Sequence, residues 1–180
     1  MRSQQIRCLL PLGCALLCLA AAAAAQTPFP SVTGETLAGQ SITLPAASSG
    51  NLALLCIGFS HASQRSVTQW ADTARQIPGI TDSVYTIAVL QDAPRLVRGM
   101  IVRGMKTDTP PQKRNPFVVV YAGEASLKQA VHCADASTAY VALVDRSGRI
   151  RWIHSGNPSP AAVQELRDKV TELSTSPKAQ

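Results

Sequence analysis

The stretch "LALLCIGFSHASQRSVTQW", residues 52–70, decides the fold. Leu52 to Phe59 is an apolar run of eight, preceded by the turn residues "SSGN" at 48–51. That length between turns predicts a central strand covered on both faces. Beyond it, Val67, Trp70, Ala71, Ala74 and Ile77 recur at helical spacing, while Arg65, Gln69, Asp72 and Arg75 fall mostly elsewhere. Ser60 or Ser63 can cap this helix, and Pro78-Gly79 ends it. A strand–loop–helix junction suits a reactive thiol, because the helix dipole and its free N–H groups lower a thiol pKa. The loop here reads Ser60, His61, Ala62, Ser63, with no cysteine as far as Ser66. Cys56 lies inside the strand, where burial makes it an inert small hydrophobe.

Working outward, residues 29–45 read as two short strands around Gly34 and Gly39, an N-terminal β-hairpin. "SVYTIAVL", 83–90, is the next strand, and Pro94 opens a helix to about Lys106 with Val97, Met100, Ile101 and Met105 as its apolar side. The prolines of "TDTPPQKRNP", 107–116, dictate a loop. "FVVVYA", 117–122, is a strand, "SLKQAV", 126–131, a short helix, and "AYVALVD", 139–145, a strand ending in the turn "DRSG". "RIRWIH", 149–154, alternates, placing Ile150 and Trp152 on one face and Arg149 and Arg151 on the other. The last helix has Ser159 as cap, Pro160 in its first turn, and the stripe Val163, Leu166, Val170, Leu173. Strand–helix–strand in front and a hairpin with a helix behind give an α/β domain with a central mixed sheet flanked by helices.

Arg2 and Arg7 precede the apolar run Leu9 to Ala25, which reads as a signal peptide over residues 1–25 cleaved after Ala25. A membrane anchor, a lipoprotein leader and a mitochondrial transit peptide are the alternatives: the run is slightly short for a span, "PLG" and "ALL" ahead of Cys14 and Cys18 make poor lipid boxes, and the segment is not amphipathic. The expected location is therefore exported, periplasmic or extracellular. One domain covers 26–173, followed by a frayed tail at 174–180. Without Arg2 and Arg7 the formal charge falls from +6 to +4. This mild excess suits an acidic partner or anionic lipid; with only 4% aromatics it does not argue for nucleic acid. Of the cysteines, Cys56 and Cys133 lie outside the leader.

The blocks "GQSITLP", "LLCIGFS" and "AYVALVDRSGRIRWIHSG" resemble the thioredoxin-like superfamily of peroxiredoxins and TlpA-type proteins. Tyr140, Asp145, Gly148, Arg149, Ile150, Arg151, Trp152 and Gly156 are similar to the pattern of the mitochondrial ATP synthase assembly factors that chaperone the membrane (Fo) sector. Phe59, Ser60, Trp70 and the basic "RGMIVRGM" of 98–105 look similar too, so the likeness spans roughly residues 28–173. It implies a thioredoxin-like fold and a protein partner, a membrane protein among the candidates. Thioredoxins also carry a cis-proline before the penultimate strand; that position here is about Ala139. With both redox hallmarks missing, the chain reads as a binding or assembly module without thiol–disulfide activity.

The competing reading is a thiol peroxidase or oxidoreductase using Cys133, which follows His132 in a polar connection; a Cys56–Cys133 bridge and an ordinary thiol are the other possibilities. His61, His132 and His154 with Cys133 match no metal spacing, and no cofactor motif is present. Ser63 and Arg65, at the start of a helix, are candidates for holding an anion, against a plain capped helix. Arg98, Arg103 and Lys106, accompanied by Met100, Ile101 and Met105, make a basic amphipathic helix suited to anionic lipid or a partner helix, against a solvated face over a packed one. Arg149, Arg151 and Trp152 extend such a surface, unless Trp152 is buried beneath two outward arginines.

Overall fold

A computed structural model describes residues 27–175. The elements run β1 (Val32–Thr36), β2 (Ser41–Leu44), β3 (Ala53–Gly58), α1 (Gln64–Ala74), β4 (Val84–Val89), α2 (Arg95–Asp108), β5 (Phe117–Val120), α3 (Glu124–Ala130), β6 (Tyr140–Val144), β7 (Ile150–Ser155) and α4 (Pro160–Thr175). They build one seven-stranded sheet in the order β2-β1-β5-β4-β3-β6-β7. β3 pairs in parallel with β4 and antiparallel with β6, so the sheet is mixed, and β1–β2 form the N-terminal hairpin.

The apolar run of β3 is buried on both sides because alternate residues enter different layers. Leu54 and Cys56 face Trp70 and Ala74 of α1 and Leu166 and Val170 of α4. Leu55 and Ile57 face Leu127 of α3 together with Phe29, Val32 and Leu44. A smaller cluster of Leu37, Phe117 and Val119 lies under Val102 and Met105 of α2. Trp70, fully buried, meets Trp152 edge-on with ring centroids 6.1 Å apart, and its Nε1 donates to the Gly156 carbonyl at 2.8 Å.

Four local expectations change. Ile101 and Met105 turn inward, but Met100 is 73% exposed and Val97 36%, so the apolar side of α2 is narrower than its periodicity implies. On β7 the register shifts opposite Leu143 and Val144: Trp152 pairs with Leu143, Ile150 with Val144, and Arg151 is the extra residue. Ile150 and Trp152 therefore pack on opposite faces of the sheet, since one inserted residue reverses the pleat. Neither Ser60 nor Ser63 caps α1 through its side chain. Ser159 does cap α4, accepting from the Ala162 N–H at 3.2 Å. α4 reaches Thr175, two residues into the stretch read as tail. The leader at 1–25 and the last residues, 176–180, lie outside the described residues.

α2 is held weakly by its own sequence. None of its residues is buried, its first turn carries Arg95 and no acid, and Pro94 supplies no side-chain cap. A Cβ at Gly99 or Gly104 would meet nothing within 4 Å. Packing therefore does not demand these glycines, and each costs the helix about 1 kcal/mol relative to alanine.

Candidate functional site

The site grows from the end of β3. A Cβ on Gly58 would stand 2.8 Å from Ser63 Oγ, so glycine lets the loop fold back against the strand. Ser63 is fully buried and donates its hydroxyl to the Ser60 carbonyl at 2.8 Å. Ser60 in turn donates to the Ala136 carbonyl at 2.9 Å. The 133–138 connection is thereby tied to the position a reactive thiol would take. Tyr140 completes the tie: its hydroxyl accepts from the N–H groups of Ala134 and Asp135, both at 3.0 Å, and donates to the Asp135 carbonyl at 3.1 Å.

Above this junction a cavity of about 270 Å³ lies between the β3–α1 loop, β4 and the inner side of α2. Phe59, Val67, Val89, Ile101 and Met105 line it, with His61 on its wall. Such a surface can receive apolar groups; it offers no sulfur nucleophile.

Both thiols of the domain are free. Cys56 is fully buried, and desolvation pushes it up to about 12 although Arg75 pulls the other way. Cys133 is half-buried and packs on the opposite layer, against the α3 side of the sheet. The sheet stands between them, so they form no bridge. Cys133 also lies past the carboxyl end of α3, bonded through its N–H to the Lys128 carbonyl, rather than at the leading end of a helix. Lys128 is engaged by buried Glu124 at 2.5 Å, and this hydrogen bond holds its ammonium above the usual range.

The basic residues divide into separate sets. Arg98 turns inward, donating to the carbonyls of Ala93 and Gln91 and lying 5.2 Å from the Tyr121 ring centroid. Arg103 is exposed and Lys106 half-buried. The structure also exposes Arg95, which the sequence counts within the basic segment 95–114, and Leu96, which the sequence reading did not single out; the signal was that Leu96 lies out of phase with Ile101 and Met105. Arg151 and Trp152 belong to β7 and Arg149 immediately precedes it, all separated from the β4–β5 region under α2 by β3 and β6. Trp152 is buried, 7% exposed, and stacks on His154. Ser63 and Arg65 do not converge, since the hydroxyl points into the core while Arg65 is exposed. Among the described residues no three His, Cys, Asp or Glu side chains gather as a metal site.

Asp145 organises the turn that carries Arg149 and Arg151. Burial pushes its carboxyl up, but hydrogen bonds from the Ser147 hydroxyl, the N–H groups of Arg149 and Ser147, and the Arg151 guanidinium outweigh this and hold it below the usual range. A depressed folded-state value adds stability above the unfolded pKa, about 3.9, and that stability is lost as pH falls through the folded value. Asp145→Asn should therefore be less stable than wild type at neutral pH, with the gap closing below about pH 4. Urea titrations across that range would read a constant gap if the carboxylate contributes nothing.

With this geometry in place the fold can be compared with known proteins. The lipoprotein thioredoxin Etrx1 of Streptococcus pneumoniae strain TIGR4 superposes with a TM-score of 0.56 at 13% identity, covering 80% of this chain and 100% of that one. BsSco, of the Sco family of cytochrome c oxidase assembly proteins, gives 0.56 at 12% identity, with 84% and 95% covered. A peroxiredoxin-like protein from Aquifex aeolicus gives 0.52 at 14% identity, with 82% and 86% covered. These likenesses define a thioredoxin-like domain. The sequence pattern of the ATP10 protein matches residues 22–173, and the chain belongs to that family. No curated protein sequence matches it significantly.

Proposed function

We propose that this chain is an exported, thioredoxin-like binding and assembly module without thiol–disulfide activity, serving a membrane or periplasmic protein in a chaperone-like role. The observation that carries the reading is the loop ahead of α1: Ser60 to Ser63 occupy the attack position, and both of the domain's thiols lie elsewhere, one sealed in the core and one beyond α3. A scaffold in this state acts by contact. The ATP10 match and the likeness of Tyr140 to Gly156 to ATP synthase assembly factors both support an assembly role.

The competing function, a thiol peroxidase or oxidoreductase using Cys133, is separated by assay. Peroxide consumption and reduction of a disulfide substrate should stay at background for wild type and for Cys133→Ser alike. Rapid peroxide turnover by wild type that disappears in Cys133→Ser would replace the binding role with an enzymatic one.

A further inference from the structure

The large hydrophobic side chains exposed among the described residues, Leu96 at 98%, Met100 at 73% and Val97 at 36%, all lie on α2. Leu96, Met100 and Arg103 follow at spacings of four and three, so they share one outward stripe. Arg95, beside Leu96, is exposed as well. The acids nearest in sequence, Asp92 and Asp108, lie before the helix and at its last residue. Arg98 and Arg114 are turned to backbone carbonyls and Lys113 to Asp72, which leaves exposed Arg95 and Arg103, with half-buried Lys106, as the cations that flank the apolar stripe.

We propose that α2 docks on an anionic lipid surface, with Leu96 and Met100 entering the boundary of the hydrocarbon and Arg95 and Arg103 at the level of the lipid phosphates. The proposal rests on the binding role above and names one surface that role would use. Charge complementarity selects the occupant: a cationic rim around an apolar stripe matches an anionic headgroup layer over acyl chains. The helix has few internal reasons to be stable and has no fully buried residue, only the partly buried Ile101, Val102 and Met105 on its inner side, which fits a segment completed by an outside surface. Among the described residues no helix is long and apolar enough to cross a membrane, so this contact would be peripheral.

The readout must be local to α2, because the apolar leader could itself take the full chain to lipid. Hydrogen–deuterium exchange over residues 95–108 would be followed with no vesicles, with phosphatidylcholine vesicles, and with phosphatidylcholine–phosphatidylglycerol vesicles. Exchange in α2 should slow about tenfold on the anionic vesicles alone, and high salt should reverse it. Leu96→Glu with Met100→Glu should abolish the protection, and Arg95→Gln with Arg103→Gln should remove most of it; the exposure of all four side chains keeps the fold out of the comparison. Unchanged exchange on anionic vesicles, equal protection on neutral ones, or protection surviving in the Leu96→Glu, Met100→Glu protein would each overturn the proposal. So would protection by an acidic amphipathic peptide in place of lipid. The thiol assays above are independent of all these outcomes, so a failure here does not touch them.

Discussion

Trp70→Ala should cost the domain about 3–5 kcal/mol, the range for deleting a fully buried aromatic side chain. Three losses coincide. The indole is fully buried between the sheet and α4, it packs edge-on with Trp152 and meets the His154 ring with centroids 5.2 Å apart, and its N–H satisfies the Gly156 carbonyl. Deletion would leave a large cavity and an unsatisfied carbonyl together. At roughly 2–4 °C per kcal/mol for a domain of this size, the melting temperature should fall by about 6–20 °C. Trp70→Phe keeps most of the packing and loses the hydrogen bond, so it should cost less, about 1–3 kcal/mol. Thermal and urea unfolding of both variants would check the order. A loss under about 1 kcal/mol for the alanine variant would mean the helix layer closes over the gap, contrary to close packing here.

The second large effect concerns the sulfurs. Cys56, pushed up to about 12 by burial, should have about three orders of magnitude less thiolate than an ordinary cysteine at pH 8. Alkylation of the native protein with iodoacetamide should therefore modify Cys133 and spare Cys56, as read by peptide mapping, and Cys56 should become reactive only when urea unfolds the chain. Comparable native rates at the two positions would show that β3 opens readily and would undermine the claim that its thiol is sealed.

These results depend on features the sequence exposes unequally. The eight-residue run at 52–59 has no polar residue to place at a surface, so its central place is readable, and with it the burial of Cys56. The helix stripe through Trp70 and the cap at Ser159 are equally plain, because both are set by neighbours along the chain. Met100 was less readable: periodicity gives the angle around α2 but not how wide a stripe its neighbours cover, and Ile101, Val102 and Met105 take up the inward side. The extra residue at Arg151 is invisible to alternation, since it depends on how β6 pairs. Ser63 looks like any helix cap until the approach of Gly58 turns it inward. The candidate surface on α2 was half legible: its charge was evident, whereas the commitment of Arg98 and the exposure of Leu96 needed the third dimension.

The strand order has a kinetic consequence. β3 lies between β4, its neighbour in the chain, and β6, which comes from residues 140–144. β1 likewise waits for β5. Closing distant segments carries a loop entropy that slows such topologies. During synthesis, then, β3, the most apolar strand of the leading half, can pair with β4 but stays unpaired along its other edge until the chain has grown through Val144.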